Sequence, residues 1–225
     1  MIRLNSYTFF SSLFSGPSLT FSSRISALNT TVVKSSIKKP KINLNISPWR
    51  SSRWSPAKIT LELLCDYILE QSEKPVSMLE IGGGISTWYL NQLNFKTYVT
   101  VETFEPAVKK IAEYIPSVLC IQKWEDIPKQ QYQYIFIDSQ VGGGAGITGD
   151  QREKPLIYIM ENNLFSPSST LIVHDYDRIK KFKGWKGRKG KAYKGWHNTV
   201  DKYGWEITHE VFKRRCFGVY KLKRP

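Results

Sequence analysis

The stretch LEIGGGIST, Leu79 to Thr87, decides the fold that this sequence predicts. SMLEI, which leads into the glycines, has the continuous apolar character of a buried strand, and Ser86 to Leu93 can form a helix. Gly82, Gly83 and Gly84 stand at the junction. Glycines let the backbone approach a ligand closely, and the first turn of the helix offers unpaired N–H groups. The order of strand, glycine turn and helix therefore predicts a ligand-binding turn in a parallel sheet.

The segments on either side extend this unit into a larger sheet. Downstream, KTYVTVETF, SVLCIQ, QYIFIDS and TLIVHDY read as four further strands. Helices are predicted from Glu105-Pro106 and from Gln151 to Phe165, and an earlier helix from Ser55-Pro56 to about Gln71. Apolar strands that alternate with amphipathic helices predict a doubly wound α/β fold with a mostly parallel sheet.

The C-terminal part breaks this alternation. After a predicted helix from Gly195 to Tyr203, the segments WEITHEVF and CFGVYKLK flank Lys213-Arg214-Arg215. Two strands joined by so short a link form a hairpin. We therefore expect a seven-stranded sheet that finishes in an antiparallel hairpin.

The chain length of 225 residues suits one domain and a tail, which we place at residues 46–225 and 1–45. Residues 1–45 are rich in Ser and Thr and contain basic but no acidic residues. This composition is typical of a chloroplast or mitochondrial transit peptide, and a disordered tail on a cytoplasmic protein is the alternative. No run approaches the roughly eighteen apolar residues of a membrane span, so none is predicted.

The net charge of +14 is concentrated in the two ends of the chain. Residues 1–61 have nine basic and no acidic residues. Residues 62–177 have eight basic and sixteen acidic residues, and residues 178–225 have sixteen basic and three acidic residues. Such asymmetry favours an anionic partner for the flanks and leaves the middle acidic.

The three cysteines, Cys65, Cys120 and Cys216, lie far apart and form no C-x-x-C pair. Cys65 and Cys120 fall in apolar segments, so we expect buried, reduced thiols. Neither a disulfide framework nor a zinc site is predicted.

Two carboxylates frame the glycine turn. Glu102 ends the second strand, twenty-two residues after Glu80, where a carboxylate can accept both hydroxyl protons of a ribose. Glu80 would repel a pyrophosphate but attract an ammonium group, and Thr87 replaces the third glycine of a dinucleotide-binding turn. The pattern therefore disfavours a nicotinamide-dependent dehydrogenase, while a turn without a ligand stays an alternative.

From Ser55 to Lys223 the sequence resembles the class I S-adenosylmethionine-dependent methyltransferases, which have a Rossmann-like fold. The resemblance rests on EIGGG, Glu102, IFID and the terminal hairpin. It implies S-adenosylmethionine as cofactor, with the glycine turn around the methionine moiety and Glu102 on the ribose. It also implies that Glu125 or Asp126 lies near the adenine amino group, with Trp124 stacking or packing in the core. The implied cofactor-binding set is Glu80, Gly82, Gly83, Gly84, Ser86, Thr87, Glu102, Glu125 and Asp138.

A narrower likeness covers GDQREKPLIYIM and TLIVHDYDR. These segments resemble a branch with HDxDR or DDxxR after the fifth strand, which includes small-molecule methyltransferases and the plant enzymes that methylate glucuronic acid side chains of xylan. SQVGGGAGITGD, after Asp138, departs from the pattern of that branch. The resemblance implies methylation of a hydroxyl on a small molecule or glycan.

Asp138, His174, Asp175 and Asp177 are predicted at the carboxyl ends of neighbouring strands, where open α/β sheets bind ligands. We predict that Asp138 or Asp175 orients the acceptor and that His174 or Asp175 is the general base. A purely structural His174 is the alternative. Paired carboxylates can also hold a divalent cation, as in catechol-type relatives, but no metal ligands are assigned.

Arginine and lysine residues near this edge suit an anionic acceptor. Arg152 and Arg178 are predicted to face a carboxylate or phosphate, or to form ion pairs on a helix surface. Lys180 to Trp196 contains eight Lys/Arg among glycines and aromatics, so it is predicted to be a lid over an anionic acceptor, or a solvated loop. An RNA methyltransferase and an inactive cofactor-binding scaffold are the alternative functions.

Overall fold

In the part of the chain that the structure describes, the centre of the fold is one mixed β-sheet of eight strands. The computed structural model describes residues 33–34, 41–48, 56–138, 150–176, 188–211 and 217–223, all within the unit that spans residues 31–225. The strands are β1 Val33–Lys34, β2 Ser77–Ile81, β3 Thr97–Val101, β4 Leu119–Ile121, β5 Tyr132–Ile137, β6 Phe165–His174, β7 Trp205–Val211 and β8 Phe217–Leu222. The helices are α1 Lys58–Gln71, α2 Ile85–Asn91, α3 Glu105–Tyr114, α4 Asp150–Glu161 and α5 Arg188–Lys202, with a short 3₁₀ turn at Trp124–Asp126.

The strand order is β1-β7-β8-β6-β5-β2-β3-β4. β8 runs antiparallel to both β6 and β7, and every other pairing is parallel. The order reverses direction beside β2, which places the end of β2 at the crevice where such sheets bind ligands. The predicted seven-stranded, doubly wound fold with a C-terminal antiparallel hairpin is confirmed, and β1 adds an eighth strand. The predicted turn at residues 213–215 lies outside the described residues.

Helices cover both faces of the sheet, as a parallel sheet requires. On one face, α4 and α5 pack through Leu156, Ile159 and Trp196 against alternate residues of the strands. On the other face, α1, α2 and α3 pack against the remaining alternate residues. Glu80 shares this second face with Met78, because side chains two apart on a strand point the same way.

Several predicted boundaries differ from the structure. The helix predicted to reach Phe165 ends at Glu161, because Asn163 adopts a φ of 53° and β6 begins two residues later. The first helix begins at Lys58, after Ala57 as N-cap, and Ser55 lies outside the described residues. The helix predicted from residue 195 begins at residue 188.

The ordered unit also extends to the N-terminal side of the boundary expected at residue 46. The backbone N–H groups of Lys41 and Ile42 donate to Asp66 of α1, and the N–H of Asn45 donates to Gln92. Leu44 lies in the core with 5% of its surface exposed. Residues 41–45 therefore belong to the folded domain.

The structure bears on two further predictions, which concern the cysteines and membrane-spanning helices. Cys65 is a buried thiol, as predicted, and burial raises its pKa. Cys120 is only half-buried because β4 is the edge strand of the sheet, and Cys216 lies outside the described residues. None of the helices in the described part of the chain is long and apolar enough to cross a membrane.

Candidate functional site

The glycine turn after β2 leaves an open space at the edge of the sheet. Gly82 has a φ of 98°, a conformation that L side chains rarely adopt, and its N–H donates to the carbonyl of Val101 at 2.8 Å. A Cβ on Gly83 would lie 2.6 Å from Thr100 Oγ1, whereas a Cβ on Gly84 would have no atom within 4 Å. Gly82 and Gly83 are therefore required by the turn itself, and Gly84 borders a space that a ligand can enter.

Glu80 lies beneath this turn and is fully buried. Its Oε1 accepts a hydrogen bond from Ser86 Oγ at 2.6 Å. Its Oε2 accepts from Thr87 Oγ1 at 2.7 Å and from the Tyr98 hydroxyl at 2.9 Å. Thr87 Oγ1 also accepts from the N–H of Gly84 at 2.8 Å. Hydrogen bonds thus connect Glu80 with the first turn of α2 and with strand β3.

Glu80, Ser86 and Thr87 were predicted to contact the cofactor. Their side chains are at most 2% exposed, and Ser86 and Thr87 both donate to Glu80. Desolvation raises the pKa of Glu80 to about 7, although the hydroxyl donors act in the opposite direction.

Glu102, directly after β3, lies on the same side as the turn. Its Cβ is 3.3 Å from the position that a Cβ on Gly83 would take. Its Oε1 accepts from the N–H of Phe104 at 2.6 Å. Partial burial raises the pKa of Glu102, and the nearby charge of Asp138 adds to the rise. Glu102 therefore lies close to the glycine turn.

A row of charged side chains follows the ends of β5 and β6. Asp138 Oδ1 accepts a hydrogen bond from His174 Nδ1, and His174 Nε2 lies 3.8 Å from Asp175 Oδ1. Asp175 Oδ2 lies 3.5 Å from Nη2 of Arg152 on α4. The structure thus brings together the three predicted catalytic residues, with Arg152 as a fourth member.

The members of this row differ in exposure. The His174 side chain is 1% exposed, whereas that of Asp138 is 16% exposed. Arg152, predicted to face the acceptor or to form an ion pair on a helix surface, is buried and forms an ion pair with Asp175. Within the described part of the chain, His174 Nε2 and Arg152 Nε have no hydrogen-bond partner. Asp138 is therefore the most exposed member of this row.

Asp175 has a backbone φ of 57°. This left-handed conformation is uncommon for a residue other than glycine, and Asp is among those that tolerate it. Strained backbone of this kind is concentrated at functional sites. The conformation turns the chain away from β6 and sets the Asp175 carboxylate between His174 and Arg152.

The residues predicted near the adenine follow β4, the strand that pairs with β3. Glu125 and Asp126 are exposed on the 3₁₀ turn after β4. Trp124 packs on Tyr158 of α4, with a ring-centroid distance of 5.8 Å, and belongs to the periphery of the core. Trp124 therefore has the core role that was the alternative to stacking, and no contact ties Glu125 to the glycine turn within the described residues.

The basic segment is only partly described. Residues 177–187, which include Asp177 and Arg178, lie outside the described residues. The remainder, predicted as a lid, forms the first half of α5. Trp196 is fully buried and donates to the hydroxyl of Tyr220 at 3.2 Å, so it cannot stack on a ligand.

Sequence reasoning missed Tyr98 as a member of the site. Tyr98 is two residues from Thr100 on β3. This strand pairs in parallel with β2, and Thr100 lies opposite Glu80. The strand period of two would have placed Tyr98, Thr100 and Glu80 on one face.

Among the described residues, no group of three or more His, Cys, Asp or Glu side chains is arranged to hold a metal ion.

Comparison with known proteins supports the fold. No protein-family model and no curated protein matches the sequence. Among solved structures, the chain is similar to an O-methyltransferase from Bacillus cereus in complex with SAH, at 14% identity and a TM-score of 0.59, covering 76% of this chain and 84% of that one. It is also similar to the SAH-bound methyltransferase PaMTH1 from Podospora anserina, at 17% identity and a TM-score of 0.54, covering 76% and 81%.

A third similar structure is the ribosomal protein L11 methylase from Lactobacillus delbrueckii subsp. bulgaricus, at 13% identity and a TM-score of 0.51, covering 76% and 81%. Identities this low establish a shared fold and leave the acceptor open, since one fold hosts many functions. The chain therefore has the Rossmann-like fold of these methyltransferase structures.

Proposed function

We propose that this protein is an S-adenosylmethionine-dependent methyltransferase that acts on a hydroxyl group of a small molecule or glycan. The observation that carries the proposal is the convergence of two features at one edge of the sheet. The backbone at Gly84 borders an open space, and the Cβ of Glu102 approaches Gly83 in the same turn. A ribose needs an acceptor for its hydroxyl protons, and a methionine chain needs a backbone that it can approach closely.

The residues present fit this cofactor in charge as well as in shape. Its sulfonium and ammonium groups are cationic, and the edge of the sheet carries the carboxylates of Glu102, Asp138 and Asp175. Arg152 is buried against Asp175, at 3.5 Å. The methyl group attached to the sulfonium is the reactive carbon that the cofactor supplies. The protein then has to align an acceptor with it and remove the acceptor proton.

Asp138 is the residue that we assign to proton removal. It is the most exposed member of the charged row, and its charge acts on Glu102. His174 is buried behind it and donates through Nδ1, which fixes the orientation of the carboxylate. We therefore assign His174 and Asp175 to positioning. This assignment replaces the sequence-based expectation that His174 or Asp175 is the base and that Asp138 or Asp175 orients the acceptor.

Cofactor binding is tested by calorimetric titration with S-adenosylmethionine and S-adenosylhomocysteine. Glu102→Gln should weaken binding about 30-fold or more, because hydrogen bonds to a charged acceptor contribute about 2 kcal/mol. Glu105→Gln is the matched control, since Glu105 is an exposed acid three residues away that pairs with Lys109. Equal affinities for the parent chain and Glu102→Gln would remove the ribose assignment.

The acceptor is tested by screening hydroxyl-bearing compounds with a radiolabelled methyl donor. Asp138→Asn should lower kcat by about 10²-fold or more, the usual contribution of a general base, while the affinity for S-adenosylhomocysteine stays unchanged. Unchanged turnover of Asp138→Asn would exclude Asp138 as the base. Cofactor binding without turnover of any acceptor would favour a binding protein.

One observation favours RNA as a second candidate acceptor. Residues 178–225 carry sixteen basic and three acidic residues, a balance suited to phosphate contacts. The logarithm of the RNA association constant should then fall linearly with the logarithm of salt concentration, by a slope that counts the neutralised phosphates. Weak, salt-independent RNA binding would exclude this candidate.

A further inference from the structure

An aromatic cluster of Tyr176, Trp196 and Tyr220 is buried beside the charged row, on the face of the sheet that α4 and α5 cover. Tyr176, which directly follows Asp175, is 7% exposed, Tyr220 of β8 is 3% exposed, and Trp196 of α5 is fully buried. The Tyr176 and Trp196 rings both meet the Tyr220 ring edge-on, at centroid distances of 6.0 and 5.9 Å. Apolar side chains fill such a space without polar atoms, so the hydroxyl and indole N–H groups need a separate explanation.

Hydrogen bonds connect these polar atoms in a chain that begins on α5 and ends at the turn after β6. Trp196 Nε1 donates to the Tyr220 hydroxyl at 3.2 Å, and the Tyr220 hydroxyl is in turn hydrogen-bonded to that of Tyr176. Because an indole can only donate, the oxygen of Tyr220 accepts from Trp196 and its own proton is available for Tyr176. Burial raises the pKa of Tyr220, and the nearby charge of Glu210 adds to the rise, so the hydroxyl keeps this proton.

The Tyr176 ring also lies directly against the backbone of β8. A Cβ on Gly218 would lie 2.7 Å from Cγ and Cδ2 of Tyr176 and 3.2 Å from its Cβ. Gly218 pairs with Val173 of β6, three residues before Tyr176. The ring therefore occupies the space that a side chain at position 218 would need. Contact with β8 fixes the ring at its base, and the bond to Tyr220 fixes it at its hydroxyl.

These contacts hold the residue that follows the left-handed backbone of Asp175. A φ of 57° is unfavourable for a residue with a Cβ, so it persists only where the surrounding structure holds it. On one side of Asp175, His174 pairs with Phe217 in the sheet, and on the other side the Tyr176 ring is fixed. The direction of the Asp175 carboxylate depends on this backbone. Its oxygens lie 3.8 Å from His174 Nε2 and 3.5 Å from Arg152 Nη2, and a small rotation would change both distances.

Resting on the proposed function, we propose that Tyr176 and Tyr220 are positioning residues: they hold the turn at Asp175 so that its carboxylate faces His174, which in turn orients Asp138. His174 Nδ1 donates to Asp138, so a shift of the imidazole moves the hydrogen bond that fixes the base. Transfer of a methyl group requires an aligned acceptor, and a displaced base lowers the rate without changing the affinity for the cofactor. Neither tyrosine takes the acceptor proton in this scheme.

Tyr220→Phe and Tyr132→Phe are a matched pair of variants. Both tyrosines are buried in the same core cluster, and each hydroxyl takes part in a hydrogen bond that the variant removes. The Tyr132 hydroxyl donates to the carbonyl of Pro128 at the start of β5, about 17 Å along the strand from its carboxyl end. With an acceptor found by the screen above, Tyr220→Phe should lower kcat about fivefold, the effect of one hydrogen bond, at unchanged affinity for S-adenosylhomocysteine. Tyr132→Phe should leave both quantities unchanged.

A second measurement needs neither ligand nor turnover. The ¹⁵N resonances of the His174 imidazole, assigned through a His174→Gln variant, report on the carboxylates on either side of the ring. They should move in Tyr220→Phe and further in Gly218→Ala, because the added methyl group displaces the base of the Tyr176 ring and with it the backbone at Asp175. They should keep their parental positions in Tyr132→Phe.

The outcomes separate this proposal from the one it rests on. Absence of S-adenosylhomocysteine binding by the parent chain would overturn the proposed function, while the imidazole resonances would still decide whether the tyrosines hold the turn. Unchanged resonances or an unchanged kcat in Tyr220→Phe would overturn the positioning role. Equal losses of kcat in Tyr220→Phe and Tyr132→Phe would overturn it as well, because that result indicates a general loss of core packing.

Discussion

The two adjacent glycines of the turn should respond in opposite ways to the same added methyl group. A Cβ on Gly83 would lie 2.6 Å from Thr100 Oγ1, 2.8 Å from Ile111 Cδ1 and 3.3 Å from Glu102 Cβ. A Cβ on Gly84 would meet no atom within 4 Å. We expect Gly83→Ala to damage the fold and Gly84→Ala to damage ligand binding.

The expected magnitude for Gly83→Ala follows from these distances. Carbon atoms pack at about 3.5–4.0 Å, so two of the three contacts are shorter by close to 1 Å. The terminal methyl of Ile111 can rotate away, but Thr100 is held in β3 by its pairing with Glu80 and Cys120. Overpacking of this kind costs about 1–3 kcal/mol, and we expect about 2 kcal/mol of lost unfolding free energy.

Gly84→Ala should leave the unfolding free energy unchanged or raise it by up to about 1 kcal/mol, since Ala reduces the freedom of the unfolded chain. Gly84 has a φ of 162°, within the extended range that other residues adopt. The methyl group would occupy the space assigned to the methionine chain, so affinity for S-adenosylhomocysteine should fall about tenfold or more.

Urea unfolding measures the first quantity and calorimetric titration the second. The reasoning is refuted if Gly83→Ala is as stable as the parent chain, because the close approach of backbone and β3 would then be absent. It is equally refuted if Gly84→Ala binds S-adenosylhomocysteine with parental affinity.

Three further predictions concern stability, each measured by urea unfolding. Arg152→Met should cost about 3 kcal/mol, because it removes the guanidinium group that pairs with the buried carboxylate of Asp175, and an unchanged midpoint would contradict the ion pair. Burial raises the folded-state pKa of Glu80 from 4.5 to about 7. The stability that protonated Glu80 gives to the fold is therefore complete below pH 4.5 and is lost as the pH rises through 7. This loss amounts to about 3 kcal/mol of unfolding free energy. Glu80→Gln should not show this loss. A plot of its stability against pH that runs parallel to that of the parent chain would contradict the raised pKa of Glu80. Leu44→Ala should cost about 2 kcal/mol or more if residues 41–45 are part of the core, and an effect below 0.5 kcal/mol would place them outside it.

The sheet could be predicted from the sequence because its strands are almost continuously apolar and each ends in a recognisable turn. SMLEI before the glycines coincides with β2, and the first five residues of TLIVHDY lie in β6, which begins earlier, at Phe165, and ends at His174. β1 could not be predicted, since two residues carry no periodic pattern and their pairing with β7 depends on tertiary structure. Asn163, which ends α4 with a left-handed φ, was a signal in the sequence that could have corrected the end of that helix.

The start of α5 was missed for a different reason. Gly190 and Gly195 lower helix propensity, and basic residues in a first turn oppose the helix dipole. Packing overrides both effects, because Trp196 and Val200 are buried in the core and Gly195 allows Glu153 of α4 to approach closely. Local preferences in such a segment do not reveal the partner that stabilises it.

The site shows a similar division between local and long-range information. Glu102 could be placed beside the glycine turn because parallel strands end at the same edge of a sheet. The hydrogen-bond partners of Glu80 could not be read from EIGGG alone, since its third hydroxyl donor comes from Tyr98, eighteen residues away on β3. The order of exposure along Asp138, His174 and Asp175 likewise depends on packing against α4 and β8.

The central claim is that the glycine turn and Glu102 bind one adenosyl ligand, and a crystal structure of this chain grown with saturating S-adenosylhomocysteine tests it most directly. We predict ribose hydroxyls within 3 Å of the Glu102 carboxylate and the methionine chain against the backbone of Gly84. Density for the ligand at any other place, or an empty turn at saturating concentration, would contradict the account.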